Sequence, residues 1–436
     1  MAMRGKGITI RNYKVRDIRF PTSLGAHGSD AMNKDPDYSA AYLILKTDDS
    51  ACQGHGLAFT IGRGNDLCCA ALRQFSAQIV GMELAAITED FGGFWKHLNG
   101  DSQIRWLGPD KGVVHMALGA LINAIWDLYA KVEGKPLWRL VAEMRPEQIL
   151  KCVDLSYLGN ALSRAEALEL LESAEAGKAV RIEVLERSGY PAYTTSVGWL
   201  GYSDERIQQL CREAVSDGWT GFKMKVGADL QDDLRRAQLI RAEIGADRIL
   251  MMDANQKWEV AEAIANMREL AVYNPLWIEE PTHPDDVLGH AEIARAVQPI
   301  KVATGEHCAN RILFKQFLQA EAMGVCQIDA CRVGGLNENL AILLLAAKYG
   351  VPVCPHAGGV GLCEYVQHLS MLDFVAISGK REGRMLEYVD HLHEHFVDPV
   401  RIHKGCYQLP RAPGFSIEMK PESLARFDFE NGSAWK

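Results

Sequence analysis

The sequence predicts an α/β protein in which an eight-stranded parallel barrel follows a smaller α+β domain. Three observations support this fold class. Eight short apolar runs recur between Tyr190 and Glu387, seven of them end in a charged residue, and segments with helical periodicity separate them. Strands that alternate with helices form a parallel sheet, and eight such strands close most economically into a TIM-like (β/α)7β barrel.

The charged residues at the ends of these runs are of types that catalysis uses. In chain order they are Lys225, Asp253, Glu279, Glu306, Asp329, His356 and Glu387. From Asp253 to His356 they follow one another at intervals of 23 to 27 residues, the length of one strand, one helix and two loops. Because the active site of a parallel barrel lies at the C-terminal ends of its strands, we expect these side chains to meet. Any one of them taken singly also fits an ordinary surface charge at a strand end.

The segments between the runs show the apolar spacing of helices that cover one face of a sheet. Such stripes occupy 230–244, 260–271 and 337–349, and a glycine follows the first and the third, as is common at helix ends. The strand runs are almost continuously apolar, as expected when both faces of a parallel strand are covered. Both features favour the barrel.

The first part of the chain has a different pattern. Two strand-like runs come first, and helices follow them, of which 113–131 is the longest. Strands followed by helices indicate an α+β domain. We therefore divide the chain into this domain at 1–145, the barrel at 146–390 and a C-terminal segment at 391–436, which we expect to fold back onto the first domain.

Three of the strand ends carry carboxylates on neighbouring strands, namely Asp253, Glu279 and Glu306. If these groups converge, they repel one another unless a cation lies between them. Oxygen ligands that leave room for water suit Mg²⁺. The sequence therefore predicts one Mg²⁺ ion per subunit, held by these three side chains.

The remaining strand ends offer a base and an acid. Lys223 and Lys225 are two positions apart on one strand, so both point into the barrel. Two close ammonium groups disfavour each other's charged form, which we expect to lower the pKa of a lysine towards that of a working general base. Asp329 and His356 end consecutive strands and can pair, the carboxylate fixing the imidazole tautomer. This set indicates proton abstraction next to a carboxylate whose enediolate a metal stabilises.

The order of these motifs resembles the enolase superfamily, mandelate racemase group. The motifs are Lys-x-Lys at 223–225, Asp-x-Asn at 253–255, Glu-Glu-Pro at 279–281 and Gly-Glu at 305–306, followed by Asp329, His356 and Glu387. Within that group, the segments 30–33, 35–42, 193–196, 277–281 and 356–364 are similar to the L-fuconate dehydratases. The resemblance covers nearly the whole chain.

The resemblance implies a set of roles. The first domain would be an N-terminal α+β capping domain, and its loop 21–38 would cover the substrate, although its composition alone also fits a solvated loop. The reaction would be the Mg²⁺-dependent dehydration of L-fuconate to 2-keto-3-deoxy-L-fuconate. Lys225 would remove the C2 proton, and His356, oriented by Asp329, would protonate the departing C3 hydroxyl. The residues that would contact the substrate are Gly28, Ser29, Asp30, Tyr38, Lys223, Asn255, Ala357, Gly358 and Glu387.

Composition limits the partners. A net charge of −9 argues against nucleic acid and anionic membranes, and no apolar run approaches the ~20 residues of a membrane span. The 11 cysteines are scattered without a Cys-x-x-Cys motif, which indicates reduced thiols inside a cell. The partners that we expect are a small sugar acid and further copies of the chain in a homo-oligomer. The basic N-terminus leaves a mitochondrial location open, but a strand predicted from Ile8 favours the cytoplasm.

Other functions and sites stay open. Related barrels with the same wall residues epimerise or dehydrate other acid sugars, and a catalytically silent barrel could serve as a binding protein. His391, His393 and His395 alternate and could form a transition-metal site, although packed or solvated histidines explain them better. The glycine-rich segment 358–361 lacks the spacing of a dinucleotide site and fits close approach to a substrate.

Overall fold

The computed structural model describes residues 7–436; the first six residues of the predicted first domain, with part of its basic N-terminus, lie outside the described residues. The strands are β1 Ile10–Arg19, β2 Ser39–Thr47, β3 Gln53–Thr60, β4 Tyr190–Gly198, β5 Gly221–Lys225, β6 Ile249–Asp253, β7 Pro275–Glu279, β8 Lys301–Thr304, β9 Val325–Cys326, β10 Leu386–Tyr388, β11 Ile402–His403 and β12 Cys406–Tyr407. The α-helices are α1 Asn65–Gln78, α2 Leu84–Glu89, α3 Phe91–Asn99, α4 Gly112–Val132, α5 Leu137–Ala142, α6 Pro146–Lys151, α7 Arg164–Glu175, α8 Lys178–Ser188, α9 Asp204–Ser216, α10 Leu230–Ile244, α11 Val260–Leu270, α12 Val287–Ala296, α13 Arg311–Gln319, α14 Leu336–Tyr349, α15 Leu362–Leu372 and α16 Pro421–Phe427.

The first domain is a three-stranded antiparallel sheet, in the order β1, β2, β3, with helix α4 packed across it. Two glycines of β3 permit the close approach of this helix. A Cβ at Gly54 would lie 2.4 Å from the Ala124 carbonyl oxygen, and a Cβ at Gly56 would lie 2.3 Å from that of Ala120. Any larger residue at either position would therefore push the helix away from the sheet.

Helix α4 corrects one expectation from the sequence. By length and composition it is apolar enough to cross a membrane, although no run was expected to approach that length. Its most apolar stretch is 83% buried inside the fold. A helix that is apolar on all sides and surrounded by protein is the central helix of a core, which is the position of α4 between the sheet and the barrel.

The second part of the chain is the predicted parallel barrel. Strands β4 to β9 pair in chain order, residues 351–355 lie beside β9, and β10 pairs in parallel with β4. Helices α9 to α15 connect the consecutive strands and cover the outside of the sheet. This arrangement is the (β/α)7β order that the spacing of the apolar runs predicts.

The sixth and seventh barrel strands are shorter than their apolar runs. Strand β9 has two residues, and the run 351–355 forms a single bridge to it. Backbone pairing nevertheless continues beyond the bridge. The Cys354 N–H donates to Cys326 O at 2.9 Å, and the His356 N–H donates to Ile328 O at 3.0 Å. The ends of both strands therefore stay in register with the rest of the sheet.

An apolar layer fills the lower interior of the barrel. It consists of Tyr193, Met251, Trp277, Ala303, Val325, Cys354 and Met385. Met251 stands two positions before Asp253, and Trp277 stands two positions before Glu279. Because side chains on a strand alternate between its faces, the pattern that packs this layer also points the strand-end carboxylates into the barrel above it.

The C-terminal segment contacts the first domain. Strands β11 and β12 form a hairpin that pairs with the start of β4. Further along, the Met419 N–H donates to the Tyr42 hydroxyl at 2.8 Å, and Asp428 bridges to Ile18 of β1. Arg16 donates to the Asp428 carboxylate at 3.0 Å. The division of the chain at residues 145 and 390 stays a prediction.

Candidate active site

The charged strand-end residues meet above the apolar layer. In the ladder, Lys225 lies opposite Asp253, and Asp253 lies opposite Glu279. Phe222 and Met224, which alternate with the lysines of β5, are buried in the core between sheet and helices. The lysines must therefore point into the barrel. The strand register thus brings together groups that are more than 50 residues apart in the sequence.

Asp253, Glu279 and Glu306 form a buried acidic cluster. Each offers a carboxylate oxygen within 4.8 Å of the other two, and the exposed fractions of the residues are 0, 0 and 6%. Burial, and next the Asp253 charge, raises the pKa of Glu279 well above its usual value. A hard divalent cation fits this donor set, because three oxygen ligands leave positions for water or substrate and a cation removes their mutual repulsion.

Both lysines are paired with carboxylates; Lys223 is buried, and Lys225 is partly exposed. Lys225 Nζ lies 2.6 Å from Asp253 Oδ2. Lys223 Nζ lies 2.6 Å from Glu279 Oε1 and 2.7 Å from Glu387 Oε1. The expected lowering of the lysine pKa is wrong for this arrangement. Burial, the largest single influence, lowers the pKa of Lys225, but the carboxylates around it, Asp253 first, together raise the pKa above its usual value. A cation bound between Asp253 and Glu306 would offset this attraction and favour the neutral amine that a general base needs.

Asp329 and His356 form a hydrogen-bonded pair. His356 Nδ1 lies 2.8 Å from Asp329 Oδ2, while Asp329 Oδ1 accepts from the N–H groups of Cys331 and Arg332 at 2.6 and 2.9 Å. These backbone donors fix the carboxylate, and the carboxylate fixes the ring. Burial acts to lower the pKa of His356, but the carboxylates, Glu306 first and then Asp329, have the larger combined effect and raise the pKa to about 9. An imidazolium here can donate a proton to a group inside the barrel.

A cavity of about 350 Å³ lies between these strand ends and the first domain. Among the predicted site residues, those on its wall are Gly28, Asp30, Tyr38, Lys225, Asn255, Glu306, His356, Gly358 and Glu387. Asn255 Oδ1 is buried and has no hydrogen-bond partner in residues 7–436. This amide oxygen is therefore placed to accept a hydrogen bond from a ligand.

Three predicted substrate contacts do not lie on the wall of this cavity. Ser29 donates its hydroxyl to Leu200 O at 2.9 Å, so it ties the loop to the barrel instead. The Ala357 N–H donates to Glu387 Oε2 at 2.7 Å and thereby positions that carboxylate. Lys223 is 1% exposed and lies beneath the acidic cluster. The hydrogen-bonding direction of each group depends on neighbours that the motif does not contain, and a contact of these three residues with substrate stays a prediction.

The loop 21–38 passes over the cavity and is closed on itself at its base. The Phe20 N–H donates to Tyr38 O at 2.9 Å, and the Thr22 hydroxyl donates to Pro36 O at 2.8 Å. At its tip, Gly28 has φ +76°, and a Cβ there would lie 2.1 Å from the Tyr38 hydroxyl. Glycine is thus required for the tyrosine to reach the cavity.

Asp30 serves the loop and the cavity together. Its Oδ1 accepts from the N–H groups of Met32 and Asn33 at 2.7 and 2.6 Å, which shapes the loop. Burial raises the pKa of Asp30, and the charge of Lys225 acts in the opposite direction. The carboxylate is therefore held by the loop within electrostatic reach of the lysine.

A second set of polar residues supports Glu306 and was missed from the sequence. His307 Nδ1 lies 2.9 Å from Glu280 Oε1 and 3.4 Å from Glu306 Oε1, and Gln256 Nε2 donates to Glu280 Oε2 at 2.7 Å. Arg332, which lines the cavity, donates from Nε to Glu306 O at 3.0 Å. Glu280 and His307 directly follow predicted ligands, and this adjacency was the available signal.

Comparison with known proteins identifies the family. A family model described as "Enolase C-terminal domain-like" matches residues 206–423. Mitochondrial enolase superfamily member 1 from Xenopus laevis is 54% identical over 425 residues, which cover 97% of this chain and 96% of the relative. L-galactonate dehydratase from Hypocrea jecorina is 52% identical over 435 residues, which cover 98% of this chain and 96% of the relative.

Solved structures agree with the fold. The crystal structure of human Mitochondrial enolase superfamily member 1 matches with a TM-score of 0.97 at 53% identity and covers 98% of each chain. That of L-talarate/galactarate dehydratase from Salmonella typhimurium LT2, liganded with Mg and L-lyxarohydroxamate, matches with a TM-score of 0.75 at 24% identity and covers 97% of this chain and 94% of that chain. The second likeness concerns the fold alone. The chain belongs to the enolase superfamily, as the motifs at its strand ends indicate.

Proposed function

We propose that the protein is a Mg²⁺-dependent lyase that dehydrates a six-carbon sugar acid, with L-fuconate as the substrate and 2-keto-3-deoxy-L-fuconate as the product. The observation that supports this most is the meeting of three buried carboxylates, Lys225 and the Asp329–His356 pair around one cavity. The relatives that cover nearly the whole chain include a named dehydratase of a sugar acid.

The first chemical step is assigned to Lys225, which would take the proton from C2 of the substrate. The electron pair of the broken C–H bond moves towards the carboxylate and gives an enediolate. A divalent cation held by Asp253, Glu279 and Glu306 would polarise the carboxylate and stabilise this negative charge. Lys225 meets the cavity from β5 while its Nζ contacts Asp253, so the base adjoins the proposed cation site.

The second step is assigned to His356, which would donate its proton to the hydroxyl that leaves C3. The enediolate electrons form the C2–C3 double bond, water departs, and the enol product rearranges to the 2-keto-3-deoxy acid. Asp329 is a positioning residue, since it holds His356 through Nδ1, while Nε2 lies 3.2 Å from the Gly358 backbone nitrogen at the cavity wall. Asn255 and Glu387, both on the cavity wall, would bind substrate hydroxyl or enediolate oxygens.

The choice between two related acids depends on the far end of the cavity. L-fuconate carries a methyl group at C6, where L-galactonate carries a hydroxymethyl group. The substrate carboxylate belongs at the acidic cluster, so C6 would lie towards the first domain. Apolar side chains from that domain line the cavity: Phe59, Ile61, Leu67, Val113 and Met116. This apolar wall favours the methyl group of L-fuconate. L-galactonate is the second candidate, because the relative from Hypocrea jecorina is named L-galactonate dehydratase.

Turnover against a panel of sugar acids, with semicarbazide detection of 2-keto products, tests the proposal. We expect L-fuconate to give the highest kcat/KM. Exchange of the C2 hydrogen without a keto product would indicate an epimerase, and neither exchange nor product with any acid would indicate a silent barrel. Val113→Ser should shift the ratio of kcat/KM towards L-galactonate by roughly fivefold, since a single polar contact at a half-open wall contributes about 1 kcal/mol. An unchanged ratio would place C6 elsewhere.

Assembly and compartment belong to the same proposal. We propose a homo-oligomer, which light scattering of the purified chain would test. The vertebrate relatives carry the word mitochondrial in their names, so a mitochondrial location competes with the cytoplasm. Cell fractionation with an antibody to the chain would decide between the two compartments.

A further inference from the structure

We propose that His391 is a positioning residue that holds the loop 21–38 over the cavity by stacking its ring on His27 and Tyr38. The inference rests on the proposed function, because it assigns to this contact the task of keeping the loop's substrate-facing residues in place. Together, four aromatic rings form a ring cluster: His27, Tyr38, Trp199 and His391.

The geometry of the ring cluster supports a stack. The centroid of the His391 ring lies 5.2 Å from that of His27 with an interplanar angle of 24°, and 5.4 Å from that of Tyr38 with an angle of 28°. Trp199 meets His391 edge-on at 5.4 Å and His27 edge-on at 5.6 Å. Two rings of the loop are therefore joined to the barrel and the C-terminal segment by apolar ring contacts.

Hydrogen bonding does not account for the position of His391. Both of its ring nitrogens are buried and have no hydrogen-bond partner in the described part of the chain. The nearest carboxylate oxygen, Asp390 Oδ1, lies 3.7 Å from Nδ1, which is beyond hydrogen-bond distance. An imidazole whose two nitrogens are buried without polar partners is an unusual choice at this position, because a polar group that loses water without gaining a partner is destabilising. The stacking of its ring on His27 and Tyr38 therefore explains the position of His391.

The neighbouring histidines have different environments. His393 is bonded through both nitrogens, to Glu364 Oε1 and to Val389 O, each at 2.7 Å. His395 stacks on Phe20 and contacts the Ser423 hydroxyl. The three alternating rings thus contact separate neighbours and do not converge on one metal ion. His391 alone among them contacts rings of the loop 21–38.

The ring cluster connects directly to the cavity. Tyr38, Gly28 and Trp199 lie on the cavity wall, whereas His391 does not. Gly28 follows His27 and packs against the Tyr38 hydroxyl. A displacement of His27 or Tyr38 would therefore move the wall that the substrate meets. His391 acts through these residues and has no contact with the cavity itself.

The test uses the full chain and three variants, His391→Ala, His391→Gln and His391→Phe. Amide hydrogen exchange of peptides covering 21–38 is measured without substrate, and KM and kcat are then measured on the preferred sugar acid. Because these variants lose the two stacked ring contacts of His391, we expect exchange to accelerate about tenfold in the Ala and Gln variants. KM should rise by a similar factor, with kcat within about twofold of the wild type. The Phe variant keeps the stack and should behave as the wild type in both measurements.

His403→Ala is the matched control, since His403 is exposed on β11 and makes no ring contact with the loop. It should leave exchange and kinetics unchanged. Wild-type exchange in His391→Ala would overturn the inference, and so would faster exchange with an unchanged KM. The exchange measurement needs no substrate. If the wild type shows no turnover, that result counts against the proposed function, while the exchange rates of the variants still test whether His391 holds the loop. Exchange and KM in His391→Phe that match those of His391→Ala would also overturn the inference, because phenylalanine keeps the stacked ring.

Discussion

The lower and upper halves of the cavity are built from different interactions. The floor consists of charged side chains from strand ends, each held by one or more ion pairs, as Lys223 is by Glu279 and Glu387. The upper wall comes mainly from the first domain and consists of apolar residues and of a loop that is fixed by its own hydrogen bonds and by the ring cluster behind it. The floor depends on electrostatic balance, whereas the wall depends on packing.

This difference separates chemistry from selectivity. A change in the floor alters the charge beside the reacting atoms, where buried interactions are strong because the surroundings screen them poorly. A change in the wall alters how the substrate is held at a distance from those atoms. Substitutions in the floor should therefore reduce kcat by large factors, and substitutions in the wall should change KM and substrate preference by smaller ones.

The largest effect should come from removing the cation. Exhaustive chelation with EDTA should abolish turnover, and added Mg²⁺ should raise the Tm of the wild type, because it relieves repulsion between Asp253, Glu279 and Glu306. Glu279→Gln should lose most of this Tm shift while keeping the fold, as calorimetry would show. Glu213→Gln, an exposed position on α9, should keep the shift. Full activity after chelation would remove the metal from the proposal.

The next largest effect distinguishes the two reacting residues. Lys225→Ala should stop the exchange of the C2 hydrogen with D₂O and lower turnover by about 10²- to 10⁴-fold, the usual contribution of a general base. His356→Asn should stop net dehydration but leave C2 exchange measurable by NMR, since proton abstraction comes first. If His356→Asn lost all exchange while Lys225→Ala retained it, the two roles would have to be reversed.

A smaller effect is expected in the wall. Asp30→Ala should lower kcat/KM for L-fuconate by roughly ten- to a hundredfold, the value of one charge-assisted hydrogen bond, with Mg²⁺ affinity unchanged. Tyr38→Phe should have a smaller effect in the same direction. Asp37→Ala is the matched control, because Asp37 also accepts bonds within the loop, from Ser23, but does not line the cavity. Equal losses in Asp30→Ala and Asp37→Ala would mean that Asp30 acts through loop shape alone.

The smallest effect concerns pH. Burial, and next the neighbouring His391, lowers the pKa of His27; Asp390 acts in the opposite direction, and Arg206 adds to the lowering. The closed loop therefore favours the neutral ring. Its stability is fully present above the pKa of a free imidazole, about 6.5, and decreases as the pH falls below that value. KM should rise severalfold between pH 7.5 and 5.5 in the wild type and less in His27→Phe, which keeps a ring but cannot titrate. Identical pH profiles of KM would contradict this.

The barrel and the charged residues at its floor could be predicted because both follow from periodic patterns in the sequence. The spacing of the apolar runs indicates the strands, and the alternation of side chains places Lys225 and Asp253 inward. The pKa of Lys225 could not be predicted, because it depends on the distance to Asp253 across the ladder. The orientation of Ser29 towards Leu200 and the pairing of Ala357 with Glu387 were missed for the same reason, since each is a contact between distant segments.

The ring cluster shows the same limit in another form. His391, His393 and His395 are equivalent in sequence pattern, and only the positions of the loop and of Glu364 distinguish them. Roles that follow from strand order are accessible from sequence, whereas roles that follow from a loop and a terminal segment meeting in space are not.

The return of the C-terminal segment to β1 also has a consequence for biosynthesis. The Phe429 N–H donates to Asp17 O at 2.8 Å, and Asp428 bridges to Ile18, so the edge of the first sheet is completed by residues near the end of the chain. The first domain is synthesised before the barrel, yet it acquires these backbone partners only after residues 428 and 429 have been synthesised. We therefore expect the first domain to settle over the barrel late in folding, after the barrel and the segment that follows it have been made, so that the cavity takes its final form only then.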